Sequence, residues 1–468
     1  MTENSVQVSI TINGFSKDIS YQRCIALQEL ESGISRLTQE MGNSLLQAGI
    51  EELDRRIRPT VPGSWQNIGT ERREVLSSLG MIRYQRRIYV DEKGRRRRPV
   101  DEVLGVRHYG RDSLNVREMG AYLACTGSYR RAASQLSWLV KEEVSHSAIQ
   151  RMVWQVGNQI ADGEEAERER VFGSGEQIEG GKVKAPILYG ESDGVWLHLQ
   201  REDKKSVEVR VATLYSGKKM VGKKRFGLEN KCIHTSIGEN TQAWQESLLQ
   251  KAYQYYDLAT TRVLISGGDG NQWVRNSFAR FGIKQEFVLD RFHLSRAARR
   301  AIQDKQESRA MVRRLRTEGL PAVNKTLMGM VSQASGKRKE KLMDFYKYIL
   351  HHQDGLLDLE QRGYALHCSS MGAIEGNVDK LVVHRMKGRG CCWKLAGARA
   401  MLAICQYKDE ISQHVFEYKP LNLPEKPLPK SGNHYVSASI PQAGMPIFSG
   451  PHQNKPWVIV LRRYVYNH

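Results

Sequence analysis

The chain has 468 residues, with 71 lysines and arginines against 51 aspartates and glutamates, a formal net charge of +20. Its 40% hydrophobic and 26% charged content excludes a globally disordered chain, a collagen and a coiled-coil rod. No run of about 18 apolar residues occurs and the first residues lack the pattern of a secretory signal, so no membrane association is expected. The positive surplus points to a polyanion, most simply nucleic acid. Seven cysteines, an odd and scattered set without a CxxC pair, argue against a disulfide framework or zinc site and for the cytoplasm.

The segment 1–62 is expected to be a helical region. Leu27, Leu30, Ile34, Leu37 and Met41 recur at three- and four-residue steps, and Pro59, Pro62 and Gly63 end the pattern that begins near residue 21. Residues 63–165 form a basic region. Ile82, Tyr84, Ile88 and Val90 among Arg83, Arg86 and Arg87 read as strands, with a turn at Asp91-Glu92-Lys93-Gly94. The adjoining run Arg95, Arg96, Arg97 and Arg98 is either solvated surface or a phosphate-contacting arm. Ser128 is a cap for a helix through Trp138 and Leu139, and Ser145 for another from His146 to about Ile160. This is the helix-turn-helix layout, in which His146, Ser147, Gln150 and Arg151 would face a major groove. An acidic, then glycine- and lysine-rich stretch over 162–184 reads as a domain boundary.

Over 185–290 the pattern is α/β: strands at Ile187–Tyr189, Val195–Leu199 and Val207–Leu214, a helix at 241–257, a strand at Val263–Ile265, a helix at 271–281 and a strand at Phe287–Leu289. Residues 291–368 look wholly helical and carry 15 Lys/Arg against 5 Asp/Glu between Arg291 and Lys347, half of the chain's surplus. The α/β unit resumes over 369–415 with a helix from Gly372, and 416–468 is a proline-rich tail expected to be extended. The expected fold class is therefore an α/β, mixed-sheet core interrupted by an all-helical insertion and preceded by a helical and β-hairpin DNA-binding region.

Four acidic residues occupy positions suited to chemistry. Asp193 follows a strand, Asp269 ends one between glycines, Asp290 ends the next and opens a helix, and Glu375 sits on a helix beside Gly372 and Gly376. Strand ends are where open α/β sheets bind ligands. Converging carboxylates would suit hard divalent cations. Each also has an ordinary reading: Asp193 a hairpin turn, Asp269 a turn residue, Asp290 a helix cap, Glu375 a surface glutamate paired with Lys380 or Arg385. The glycines around Asp269 lack the Gly-Lys-Ser/Thr ending of a P-loop.

The segments Tyr189-Gly190-Glu191-Ser192-Asp193-Gly194-Val195-Trp196, Ile265-Ser266-Gly267-Gly268-Asp269-Gly270, Leu289-Asp290-Arg291-Phe292-His293 and Ile374-Glu375-Gly376-Asn377 resemble bacterial insertion-sequence transposases of the ISLre type. His384-Arg385-Met386-Lys387-Gly388-Arg389-Gly390, followed by Trp393, resembles the basic stretch after that family's glutamate. The resemblance implies an RNase H-like core with a DDE site. Asp193, Asp269 and Glu375 would be catalytic and hold two Mg²⁺ ions, with Mn²⁺ as a substitute, and Asp290 and His293 would support them. Glu191 and Asp379 compete with Asp193 and Glu375 as ligands. It further implies phosphodiester hydrolysis at the element's ends, then attack of the freed 3′-hydroxyl on target DNA, by a homodimer or higher oligomer on DNA in the nucleoid. Arg296, Arg299, Arg300, Arg313, Arg314 and Arg316 on the inserted helices, with Lys387 and Arg389 near Glu375, would contact DNA. A structure-specific metal-dependent nuclease and a DNA-binding protein without catalysis are the alternatives.

Overall fold

A computed structural model describes residues 5–12, 15–22, 27–106, 110–223, 225–364, 371–388 and 390–412. Arg389 and the proline-rich segment 416–468 lie outside the described residues. The chain divides into two compact units, one made of Met1–Met119, Ser134–Val144 and Val415–His468, the other of Gly120–Ala133 and Ser145–His414.

The first unit opens with an antiparallel pair, β1 (Ser5–Ile12) and β2 (Phe15–Gln22), so the helical pattern starts later than its sequence signal. Helix α1 (Leu27–Ile57) packs on the hairpin of β3 (Gln66–Ser77) and β4 (Gly80–Val90), which β5 (Arg96–Arg97) extends and α2 (Pro99–Val103) follows. Ile50, Ile57, Val75, Ile82, Tyr84 and Val100 form its core. The arginine run is not a free arm. Arg95 donates to Asp91 at 2.9 Å, Arg97 pairs with Glu102, and buried Arg98 pairs with Glu71; Arg96 is exposed. Asp91, Glu102 and Glu71 thus pair with three of its four arginines within this unit, and Arg96 remains exposed.

Helices α3 (Leu114–Thr126) and α4 (Tyr129–Val140) are divided between the units, and α5 (His146–Arg168) belongs to the second. Both expected caps form: Ser128 Oγ accepts from Arg131 N at 3.2 Å and Ser145 Oγ from Ala148 N at 3.1 Å. His146, Ser147, Gln150 and Arg151 are exposed on α5. The helix runs on to Arg168, into the first residues of the acidic 162–184 stretch. Its glutamates are used inside the unit, where Glu164 accepts from Gln406 Nε2 at 2.9 Å and Glu165 pairs with Arg399.

In the second unit β6 (Val183–Lys184) leads into β7 (Ile187–His198), a single strand where two were expected. The polar stretch that suggested a break is satisfied from the side: Ser192 Oγ lies 3.2 Å from Ser277 Oγ, and Tyr215 donates to Glu191 at 2.6 Å. Asp193 is therefore in mid-strand, not at a hairpin turn. Next come β8 (Ser206–Tyr215), the ribbon β9 (Gly217–Gly222) and β10 (Arg225–Glu229), then β11 (Cys232–Ile237); the last three carry no clear strand signal in the sequence. Helix α6 (Thr241–Tyr255), β12 (Tyr256–Asp257), β13 (Val263–Gly268), the short α7 (Gln272–Arg275) and β14 (Lys284–Leu289) complete the sheet region. The five-stranded sheet has the order β11-β8-β7-β13-β14, antiparallel across the first three strands and parallel from β7 to β14.

Four helices then follow: α8 (Arg291–Ile302), α9 (Lys305–Thr317), α10 (Leu320–Gln333) and α11 (Gly336–His351). Leu294, Ala298, Leu315, Leu327, Phe345 and Ile349 give this insertion its own core. The chain returns as α12 (Ile374–Val378), continues in wider π-type turns over Asp379–Lys387, and ends its described part with α13 (Leu395–Gln406). The fold is thus mixed α/β.

Helices α5 and α13 meet backbone to backbone. A Cβ on Gly157 would lie 2.1 Å from the carbonyl oxygen of Ala400, and backbone cannot yield as a side-chain tip can. We expect Gly157→Ala to cost about 1–3 kcal/mol in urea unfolding. Gly329→Ala, where nothing lies within 4 Å of the new methyl, is neutral or stabilising.

Candidate metal centre

The sheet's topology gathers the acidic residues. Glu191 on β7 is level with Gly267 on β13, so Asp193, two residues further on, is beside the end of β13 where Asp269 follows. The amide of Asp290, just past β14, donates to Gly268 O at 2.9 Å, which sets it beside the same strand end. Parallel pairing of β7, β13 and β14 therefore delivers three aspartates to one edge of the sheet.

Local hydrogen bonds orient each carboxylate. Asp193 accepts from the amide of Gly194 at 2.8 Å. Asp269 accepts from the Asn271 amide at 2.9 Å and from its side chain. Asp290 caps α8 through one oxygen, Oδ2, which accepts from Phe292 N at 2.9 Å and His293 N at 3.1 Å. It is thus a helix cap and a member of the acidic group at once.

The tightest grouping among the described residues is Asp290, His293 and Glu375, whose potential ligand atoms all lie within 4.8 Å of one another. This differs from the expected metal triad Asp193, Asp269 and Glu375. Asp193 instead takes the amide of its strand neighbour Gly194, and Asp269 the amide and side chain of Asn271. Charge still links the set. Burial, then the charges of Asp269 and Asp290, push the Asp193 carboxyl above its usual range, against the Gly194 amide and His293. Burial, then Asp290, Glu191 and Asp193, push Glu375 up as well. A donor set of carboxylates with one imidazole, gathered at the cost of mutual repulsion, fits a hard divalent cation.

Glu191 has another task. Its Oε2 accepts from the amides of Gly372 and Ala373 at 2.8 Å and of Ile374 at 3.2 Å, and its Oε1 accepts from Tyr215. It is buried, with its hydrogen-bonding capacity turned toward the start of α12. It fixes the backbone that carries Glu375 and is not free to compete with Asp193. Asp379 is exposed. Gly372 precedes the helix, with φ +108°, and so is not the helical glycine expected from the sequence.

The glycines around Asp269 make room for neighbours. A Cβ on Gly268 would meet Val274 at 2.3 Å and Ser192 O at 2.8 Å, and one on Gly270, φ +89°, would meet the His352 ring at 2.5 Å. Tyr348 on α11 and His352, just past its end, reach this end of the sheet, a role with no motif to announce it. Burial lowers the His352 pKa, and burial with the charges of Asp269 and Asp290 raises that of Tyr348.

The expected basic residues divide. Arg296, Arg299, Arg300 and Arg313 are exposed and make no ion pair among the described residues. Arg314 instead donates to Ala322 O and Arg316 pairs with Asp358, because both lie at helix junctions inside the insertion. Lys387 is exposed. Arg385 is buried against Ala124 O and the Tyr129 and Trp393 rings, so it is not a partner of Glu375.

The family described as "Uncharacterised protein family (UPF0236)" matches residues 21–417, and the chain belongs to it. Among its relatives is the UPF0236 protein TTE0402 of Caldanaerobacter subterraneus subsp. tengcongensis, 26% identical over 383 residues, 80% of this chain and 72% of that protein. The UPF0236 protein in the vanSb 3′ region of Streptococcus gallolyticus is 24% identical over 389 residues, 81% and 82% of the two chains. A third, 25% identical over 381 residues and covering 80% of this chain and 76% of its own, bears eleven locus names in the same Caldanaerobacter strain, from TTE0033 to TTE2212. No helix among the described residues is long and apolar enough to cross a membrane.

The raised carboxyls have a signed consequence. The native state retains protons that the unfolded chain has shed, so metal-free stability falls as pH rises from the ordinary carboxylate range through the raised values. At neutral pH, Asp193→Asn is therefore expected to raise the metal-free melting temperature, because it removes a buried charge held beside Asp269 and Asp290. It should also abolish any stabilisation by Mn²⁺. Glu191→Gln, two residues earlier, should lower the melting temperature, since hydrogen bonds to a charged acceptor contribute about 1.5–3 kcal/mol each. Scanning calorimetry with and without Mn²⁺ checks both; shifts of the same sign would contradict the assignment of separate roles.

Proposed function

We propose that this protein is a DNA transposase of the DDE class with an RNase H-like core, acting on the ends of a mobile DNA element. The observation that carries the reading is the gathering of Asp193, Asp269, Asp290, His293 and Glu375 from well-separated stretches of chain at one edge of a sheet ordered β11-β8-β7-β13-β14. Support comes also from the relative that bears eleven locus names in one strain, as a self-copying segment would leave behind.

Asp193, Asp269 and Glu375, with Asp290 and His293 beside them, would hold Mg²⁺ or Mn²⁺. When bound, such ions supply charge neutralisation for a phosphodiester and a lowered pKa for water or a 3′-hydroxyl. The protein's own groups do the positioning. Glu191 holds the start of α12, so Glu375 reaches the sheet on a fixed helix. Asp290 occupies the first-turn amides of α8, and the same turn carries His293 to the site. Arg296, Arg299 and Arg300 continue along α8 as exposed cations, and Lys387 extends the basic surface beyond Glu375. Exposed His146, Ser147, Gln150 and Arg151 on α5 offer hydrogen-bonding groups of the kind that read base edges.

The test is strand transfer of a labelled element end into a plasmid with Mg²⁺. Asp193→Asn, Asp269→Asn and Glu375→Gln should each lose more than the roughly 10–100-fold typical of an outer-shell partner, while DNA binding persists. Cleavage without joining by the wild-type protein would make it a nuclease, and wild-type activity in any variant would remove that residue from the site.

A further inference from the structure

A second basic surface lies apart from the carboxylates. After β8 the chain leaves the five-stranded sheet as the β9–β10 ribbon, which pairs with no other strand among the described residues, and then returns as β11. The stem of this ribbon is fixed. Ser216 N donates to Glu229 O at 3.0 Å, Asn230 Nδ2 to Ser216 Oγ at 2.8 Å, and Leu228 packs against the cluster containing Tyr189 and Tyr215. The far end is open. Met220, Val221 and Phe226 are 68%, 52% and 56% exposed, and Phe226 stands directly opposite Met220. Lys219, Lys223 and Arg225 are exposed around them, and no acidic residue occurs between Gly217 and Leu228. Large apolar side chains clustered on a surface mark an interaction site, and the charge around them selects an anionic partner.

We propose that the β9–β10 ribbon is a DNA-binding element, with Lys219, Lys223 and Arg225 on backbone phosphates and Phe226 and Met220 against the bases. This rests on the reading of the protein as one that acts on DNA. A two-stranded ribbon fits the major groove of B-form DNA, where apolar side chains meet thymine methyl groups while flanking cations reach the phosphates. A second copy of the chain is the poorer occupant, because joining two such ribbons would bring like charges face to face. The place of contact also follows. Tyr215, at the root of the ribbon, pairs with Tyr189, and β7 runs on from there to Asp193, so the ribbon leaves the sheet at the end away from the carboxylates. It grips DNA flanking the cut, not the scissile step.

The experiment is fluorescence anisotropy of the full chain on a linear duplex of arbitrary sequence, in EDTA, between about 50 and 200 mM salt. The triple variant Lys219→Ala, Lys223→Ala, Arg225→Ala should weaken binding and reduce the log–log salt slope by about 2.7, since each phosphate that a cation neutralises adds about 0.9 to it. Phe226→Ala should weaken binding severalfold with the slope unchanged, because it removes an apolar base contact and no charge. Circular dichroism and melting confirm that both variants fold. Variants that bind like the wild type overturn the ribbon's role, as does binding to phosphatidylserine vesicles, or dimerisation, that the variants lose while duplex binding is intact. A wild-type protein that binds no duplex removes this proposal together with the transposase reading. A wild-type protein that binds while both variants match it removes the ribbon alone.

Discussion

The arrangement of this protein depends on one buried carboxylate. Glu191 sits in the central strand of the sheet and accepts three backbone amides from residues 372–374, across the whole helical insertion. A buried carboxylate without such partners would be costly, and so would the buried amide of Ile374 without an acceptor. Each side satisfies the other, and the result is a fixed join between the first strand of the core and the helix that carries Glu375. The insertion between them can then be large and have its own core, because it does not have to hold the two ends of the site together.

With that join in place, the sheet accounts for the rest of the centre. Parallel pairing of β7, β13 and β14 aligns three aspartates at one edge, and the local hydrogen bonds of each set where its oxygens point. Burial, and after it the charges of neighbouring carboxylates, pushes the Asp193 and Glu375 carboxyls up. A scaffold that holds unfavourable charges together, rather than letting them relax apart, is suited to a bound cation. Basic side chains lie on other surfaces: α8 beside the centre, and the β9–β10 ribbon at the opposite end of the sheet.

Much of this is legible in the residues. The caps at Ser128 and Ser145, the helical insertion and the strand ends at Asp269 and Asp290 follow from periodicity and capping chemistry, which are local. What the sequence hides is non-local. The polar stretch Glu191-Ser192-Asp193 resembles a strand break because its partners, Tyr215, Ser277 and residues 372–374, are far away in sequence. Strand β11 is short and mixed in polarity, and the lysines of the ribbon obscure its alternation. The arginine run reads as a free arm because the acids that neutralise it, Glu71, Asp91 and Glu102, belong to neighbouring strands, turns and helices. His352 and Tyr348 have no motif, since only the packing of α11 brings them to Asp269.

The Glu191 join also bears on how the chain becomes functional during synthesis. All five strands of the sheet and all four inserted helices precede residue 372 in the chain, so the sheet and the basic surfaces emerge from the ribosome before the segment that closes the centre. Closure over so long a sequence separation is among the slow events of folding. Until then Glu191 lacks its three amides and Glu375 has no fixed place, whereas the exposed arginines of α8 and the cations of the ribbon are already presented. A nascent or truncated chain would thus present its exposed cations before it acquires a complete acidic centre.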